Sequence, residues 1–408
     1  MTPPTKMRPP RAYRLIYDLF TRIESGTVDL TRPDGLTVTF GPTDAPTDRR
    51  AQVTVTDWAF FRNVLHGGAT GLALAYVRGQ WRSDDLVAFL RIMAADRRHM
   101  RRLTVVGLSR IMADRMVHTL RTNRKRQAPV NIAAHYDLSN AFYATFLDDT
   151  MTYSSAVFSL NANDLKAAQI AKYERLCQLA EIKPGMRVLE VGCGWGGFAI
   201  YAATTYGVHV TGITLSNEQA RYAREQVKAA GLDAQITIEV IDYRDVSGLY
   251  DRIVSIEMLE AVGHRYLGQY FATLDARLAA GGSIALQVIT IPEQRYRVYR
   301  LRPDFIQRYI FPGGHLPSLE VLTKAMRSHS HLVVNSVTNI ATDYAATLRQ
   351  WRERFNAARD ELGALGFDER FQRQWEFYLA YCEAGFTDRL IGNLQLQIMR
   401  PGYVTQTG

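Results

Sequence analysis

A glycine-rich run follows an apolar stretch at Val188-Leu189-Glu190-Val191-Gly192-Cys193-Gly194-Trp195-Gly196-Gly197. Gly192, Gly194 and Gly197 fit the spacing G-x-G-x-x-G. Glycines let a backbone approach a ligand closely, and a helix opening after them offers free N–H groups. The chemistry indicated is cofactor binding at a strand-to-helix turn. A nicotinamide dinucleotide would require an acid about 20 residues on, at the end of the next strand. That strand ends Gly212-Ile213-Thr214-Leu215-Ser216, without an acid. Glu190 instead stands just ahead of the first glycine. A second carboxylate, Glu260, follows a later strand, at the edge where doubly wound sheets bind ligands. A carboxylate placed there is a candidate acid or base. Cys177, Cys193 and Cys382 have no metal-ligand spacing and are too few for a disulfide framework.

These residues need a scaffold, and the apolar pattern describes one. Arg187–Val191, His209–Ile213, Ile236–Ile241, Arg252–Ile256 and Ser283–Ile289 read as strands. Helical segments alternate with them; Asn217–Ala230 is one, with Ser216 as its N-cap. The expected fold is α/β, a doubly wound Rossmann-like sheet. Ahead of it, Leu36–Phe40 and Val53–Val55 read as strands, and residues 12–24, Trp58–Leu65 and Asp84–Ala94 as helices. The expected organisation is a small N-terminal α+β domain over 1–100, a basic linker over 101–130 and a catalytic domain over 131–400. In 408 residues, 47% hydrophobic and 22% charged, this composition excludes a disordered or low-complexity chain.

Further segments appear in one order. They are His135-Tyr136-Asp137-Leu138-Ser139-Asn140, Leu147–Ala156, Gly212–Ser216 with Glu218-Gln219, Asp242-Tyr243-Arg244, Ser255–His264 and Tyr309–Ser318. With Glu190 ahead of the glycine loop, the set resembles the cyclopropane-fatty-acyl-phospholipid synthase family, including its mycolic-acid and methyl-transferring relatives. The resemblance covers about residues 125–400. It extends weakly to Gly71–Trp81 in the first domain. It implies a class I methyltransferase fold using S-adenosylmethionine (SAM).

The resemblance also assigns residues. Gly192, Gly194 and Gly197 would surround the methionine part of SAM. Tyr153 and Ser154 would lie near its carboxylate, Thr214 and Gln219 at the ribose, and Asp242 and Tyr243 at the adenine. The implied reaction transfers the methyl to a cis double bond of an acyl chain and leaves a carbocation on the neighbouring carbon. Such a site must be dry and aromatic, and needs a base to close a cyclopropane ring. In related enzymes a bound bicarbonate is held by a Cys, a Glu, a His, a Tyr and a backbone group. The matching positions are Ser155, Glu260, Gln287, Tyr344 and Ile289. Ser155 and Gln287 depart from the pattern, and Gln287 cannot carry a proton as His does. Either bicarbonate binds with altered pKa values, or the ring is not closed and a methyl-branched product forms.

Charge is uneven. Residues 1–130 carry 22 Lys and Arg against 11 Asp and Glu, and ten of the basic residues fall between Arg97 and Arg126. Such a cluster attracts an anionic bilayer, at about 1 kcal/mol per residue near the surface. It lacks the interleaved aromatics of a base-stacking surface, so no nucleic-acid partner is expected. The expectation is a cytoplasmic enzyme, peripheral on the inner face of the membrane, that acts on unsaturated phospholipid to form a cyclopropane fatty acid, with methyl branching without ring closure as the alternative product, and that forms a homodimer like its bacterial relatives. The competing readings are a SAM-dependent N-methyltransferase of a soluble amine and a regulator with an inactive site.

Overall fold

A computed structural model describes residues 9–96, 138–158 and 164–402. The basic stretch Arg97–Arg126 and residues His135, Tyr136 and Asp137 lie outside the described residues. The chain divides into two compact units. One holds the N-terminal residues together with Arg352–Asp388; the other holds the residues up to Trp351 and those from Arg389 onward. A single cut near residue 100 therefore does not separate them, because residues 352–388 go with the N-terminal unit.

The first unit is a four-stranded sheet with helices. Strands β1 (Thr27–Thr31), β2 (Thr37–Phe40), β3 (Arg50–Val55) and β4 (Trp81–Ser83) lie in the order β2-β1-β3-β4. Helices Ala59–Val77, Leu86–Ala95 and Glu369–Thr387 pack together beside it. Polar anchors fix the last of these. The Tyr76 hydroxyl donates to Glu376 at 2.7 Å, and the Arg373 guanidinium donates to the carbonyls of Tyr76 and Trp81 at 2.7 and 2.8 Å. Arg49 and Arg91 both reach Asp388, just past that helix.

The second unit is built on seven strands: β5 (Arg187–Val191), β6 (His209–Thr214), β7 (Ile236–Val240), β8 (Tyr250–Ile256), β9 (Leu278–Thr290), β10 (Val333–Asn339) and β11 (Gly392–Met399). Their order is β10-β11-β9-β8-β5-β6-β7. The five strands from β9 to β7 run parallel, and β11 and β10 are antiparallel additions. The parallel strands read as continuous apolar runs because both faces are covered, as parallel sheets require. One face carries Val191, Ile253, Leu286 and Leu396; the other carries Val188, Val210, Val254 and Ala285. The order reverses between β5 and β8. A doubly wound sheet opens its ligand crevice there, outside the carboxyl ends of the strands. The expected α/β class and Rossmann-like core are what the chain adopts.

Candidate active site

The glycine loop leaves β5 at that crevice. Gly192 has φ +85°, and a side chain there would strike Met258, 2.6 Å away. The loop after β8 thus packs directly on the loop after β5. Gly196, in the left-handed region, caps helix Gly197–Tyr206. Gly197 opens that helix; a Cβ on it would stand 2.5 Å from the Tyr173 hydroxyl.

A cleft lies over these loops. Tyr153, Ser154, Gly192, Gly194, Gly197, Thr214, Gln219 and Tyr243 all line it, as do Lys172, Glu190 and Glu257. Sequence-expected positions from four separate segments are thereby brought together. The Thr214 hydroxyl donates to Gln219 Oε1 at 2.9 Å and accepts from the Ser216 N–H at 3.1 Å, which sets both side chains at the end of β6. Asp242 differs. Both its oxygens are taken by Arg244, at 2.7 and 2.6 Å, and it is not among the lining residues. Two buried polar atoms of the lining residues have no partner: Glu190 Oε2 and Tyr243 Oη. A ligand with hydrogen-bonding groups fits these orphans and the glycine cradle, as SAM does.

The cleft floor holds a buried lysine. Lys172 donates to the Ser154 hydroxyl at 2.8 Å, and burial pulls its ammonium down to about 7. Burial also pushes the Glu190 carboxyl well above its usual range. Aromatic rings gather on one side. Tyr153 lies 5.3 Å from Trp351 and 5.4 Å from Tyr143, which in turn lies 5.0 Å from Trp195. Tyr344 is 6.1 Å from Trp351, ring to ring. Tyr143, Phe146 and Trp351 are fully buried, so this wall is dry.

Ser155, Glu260, Gln287, Ile289 and Tyr344 do not themselves line the cleft. Ser155 and Gln287 are joined to it by Glu257, which does. Glu257 Oε1 accepts from the Ser155 N–H at 3.0 Å, Gln287 Nε2 at 2.8 Å and Asn393 Nδ2 at 2.6 Å. Gln287 also donates to the Ser155 carbonyl and accepts from Gln395. The Ser155 hydroxyl donates to the Ala156 carbonyl. Glu260 Oε1 takes the Ile289 N–H at 2.5 Å, while its Oε2 is buried without a partner. Burial, reinforced by the charge of Glu257, pushes the Glu260 carboxyl up to about 8. At neutral pH it is therefore mostly a neutral acid.

Of the groups expected to hold a bicarbonate, the Gln287 amide and the Ile289 N–H are thus already bonded to carboxylates of the chain, as is the Ser155 N–H. The nearby orphan atoms, Asn393 Oδ1 and Gln395 Oε1, are acceptors. An anion would have to displace these carboxylates from the Ser155, Gln287 and Ile289 N–H groups. Glu257 adopts φ +49°, a left-handed conformation unusual for a non-glycine residue. Such backbone costs on the order of 1–3 kcal/mol and clusters at functional sites. Sequence reasoning quoted Glu257 within its segment without giving it a role. Its signal was its place, one residue past a strand at the crevice. Lys172 and Asn393 had no comparable signal.

A model of the mycolic acid cyclopropane synthetase family matches residues 123–396. The chain belongs to that family. It is 41% identical over 362 residues to the tuberculostearic acid methyltransferase UfaA1 of Mycobacterium tuberculosis, covering 84% of this chain and 82% of that one. It is 37% identical over 351 residues to the cyclopropane-fatty-acyl-phospholipid synthase of Escherichia coli, covering 86% and 88%. Among solved structures, the mycolic acid cyclopropane synthase CmaA1 complexed with SAH and CTAB superposes with a TM-score of 0.62. That pair is 32% identical over 66% of this chain and 97% of the other. The chain is accordingly a SAM-dependent methyltransferase that modifies lipid acyl chains. SAM is its cofactor.

Proposed function

We propose that this methyltransferase acts on a cis double bond in an unsaturated acyl chain of a membrane phospholipid, and that its product is a methyl-branched alkene. SAM, when bound, supplies a methyl electrophile. The chain's residues do the rest. Tyr153 lines the cleft, backed by the buried rings of Tyr143 and Trp351, and its aromatic face attracts the positive charge arising on the acyl chain. The burial of those two rings keeps water from trapping it.

One observation carries the choice of product. The Ser155 and Ile289 N–H groups and the Gln287 amide are already bonded to Glu257 and Glu260. This favours a site without the ring-closing bicarbonate that the cyclopropane alternative requires. The similarity to a methyltransferase named for tuberculostearic acid supports the same reading.

Access to lipid is supported by the surface of the catalytic unit. Helix Glu293–Leu301 exposes Val298 and Leu301, and Tyr309 is exposed on the following helix. Arg297, Arg300 and Arg302 are exposed among them. Apolar residues set among arginines suit docking on an anionic bilayer from one side. No helix among the described residues is long and apolar enough to cross a membrane.

The test is turnover with SAM and vesicles of cis-unsaturated anionic phospholipid. Released fatty acids are weighed by mass spectrometry before and after mild catalytic hydrogenation. A product heavier by one CH2 that takes up hydrogen supports the reading. One that resists hydrogenation is a cyclopropane and overturns the product assignment. A folded, SAM-binding enzyme that yields no lipid product overturns the substrate as well.

A further inference from the structure

We propose that Glu257 is the proton acceptor of this active site, a carboxylate built into the chain that does the work of an external anion. The inference rests on the reading that the methyl is transferred to an acyl-chain alkene, and names the group that then takes the proton.

Three features converge on Glu257. The first is place: it is the residue immediately after β8, beside the point where strand order reverses, and it lines the cofactor cleft. The second is conformation. A left-handed glutamate is held there although glycine would be the unstrained choice. Its N–H bond to the Gln287 carbonyl, at 2.8 Å, and the three bonds to its side chain fix it. The third is the direction of those bonds. All three end on Oε1, and no hydrogen bond among the described residues ends on Oε2. Three N–H donors suit a carboxylate, which accepts without donating. They orient it and leave its second oxygen available to a ligand in the cleft.

The neighbours complete the arrangement. Ser155 and Gln287 present to Glu257 the N–H groups expected to bind a free anion. Glu260, in the turn that follows β8, takes the Ile289 N–H and stays mostly protonated near neutrality.

The step balances without a further reactant. Methyl transfer forms a carbon–carbon bond from the alkene π pair, and the broken sulfur–carbon pair stays on sulfur. A proton then leaves a carbon next to the cationic centre and binds Glu257 Oε2. The electron pair of that C–H bond becomes the new π bond. The proton passes to solvent when the product leaves.

The experiment compares three proteins in CO2-purged buffer and in the same buffer with added bicarbonate or formate, using SAM and vesicles of cis-unsaturated anionic phospholipid. SAM affinity is measured calorimetrically on each. Wild type is expected to turn over equally in all buffers. E257Q keeps a side chain that accepts the same three N–H bonds but cannot take up a proton at neutral pH. It is expected to bind SAM as wild type does and to lose about 10²–10⁴-fold in turnover, the usual contribution of a positioned base. E257G suits the left-handed backbone and opens space for a small anion. It is expected to be inactive in purged buffer and partly restored by formate or bicarbonate, a rescue that a purely structural role does not produce. Wild-type turnover that disappears on purging and returns with bicarbonate would overturn the proposal. So would an E257Q or E257G enzyme of normal rate in purged buffer. A cyclopropane product from wild type in purged buffer would leave Glu257 as the proton acceptor and remove only the alkene reading. A folded wild type without any lipid product would remove both.

Discussion

Replacing Glu260 by glutamine should make the protein's stability less sensitive to pH, in a direction opposite to that of most carboxylates. In the folded chain the Glu260 carboxyl ionises only near pH 8, against an ordinary value of 4.5, because it is buried and faces Glu257. The unfolded chain releases that proton near 4.5. Between the two values the unfolded state holds fewer protons than the folded one, so wild-type stability falls as pH rises. The slope approaches one proton, about 1.4 kcal/mol per pH unit. From about pH 5 to about pH 7 the wild type should lose roughly 2–3 kcal/mol that E260Q keeps. Glutamine retains an oxygen for the Ile289 N–H, bonded at 2.5 Å in the wild type. Its NH2 replaces the unpartnered Oε2 and costs about 1–3 kcal/mol, but that offset does not vary with pH. The assay is urea unfolding of both proteins, followed by tryptophan fluorescence, at several pH values. The difference E260Q minus wild type should rise steadily across the window and level off above about pH 8. A difference that stays flat would refute the reasoning, because it would mean Glu260 ionises in both states alike. A second variant checks the cause. E257Q removes the neighbouring charge and should narrow the window.

Other expectations concern the cleft and the surface. In Gly197→Ala the new methyl meets the Tyr173 hydroxyl at 2.5 Å and the Thr150 carbonyl at 2.9 Å. Overpacking of about 1–3 kcal/mol should outweigh the ~1 kcal/mol that alanine gains in a helix. Thermal unfolding should show a net loss of stability, and adding Tyr173→Phe should recover part of it. Thr214→Val removes the bonds to Gln219 and Ser216 and should weaken SAM binding by about 1 kcal/mol, roughly fivefold by calorimetry. The double variant R297E/R302E removes two exposed positive charges beside Val298 and Leu301. It should lower partitioning onto anionic vesicles by at least about 2 kcal/mol, while neutral vesicles show little change.

The parallel core was legible from sequence because its strands, buried on both faces, are short apolar runs that end at glycines or caps. Arg187–Val191 matches in full, and the observed His209–Thr214 and Ile236–Val240 differ from expectation by one residue each. Strand β11 was missed for a physical reason. Its polar residues Asn393, Gln395 and Gln397 are buried, and hydrogen bonds with Glu257, Gln287 and Asn335 respectively stabilise them there. No rule of apolar periodicity marks a buried amide ladder. The glycine loop and the Thr214–Gln219 turn at the cleft were legible because glycine spacing and a cap are local signals. Glu257 was not, because its importance depends on Ser155, Gln287 and Asn393, which come from distant parts of the chain. Asp242 shows the converse. A motif put it at the ligand, and a local ion pair with Arg244 engages it instead.

The position of residues 352–388 has a consequence for biogenesis. A ribosome releases the N-terminal sheet and its first helices early. Their partner helix, Glu369–Thr387, emerges only after the whole parallel core has been made. Strand β11, which sits between β9 and β10, emerges later still. Neither unit can be completed during most of synthesis. Both close almost together, within the last part of the chain. Nascent chains stalled before residue 369 would therefore lack a native helix in one unit and an interior strand in the other. They should be captured by chaperones and cut by proteases at both places. A chain extended only a few tens of residues further should resist in both units.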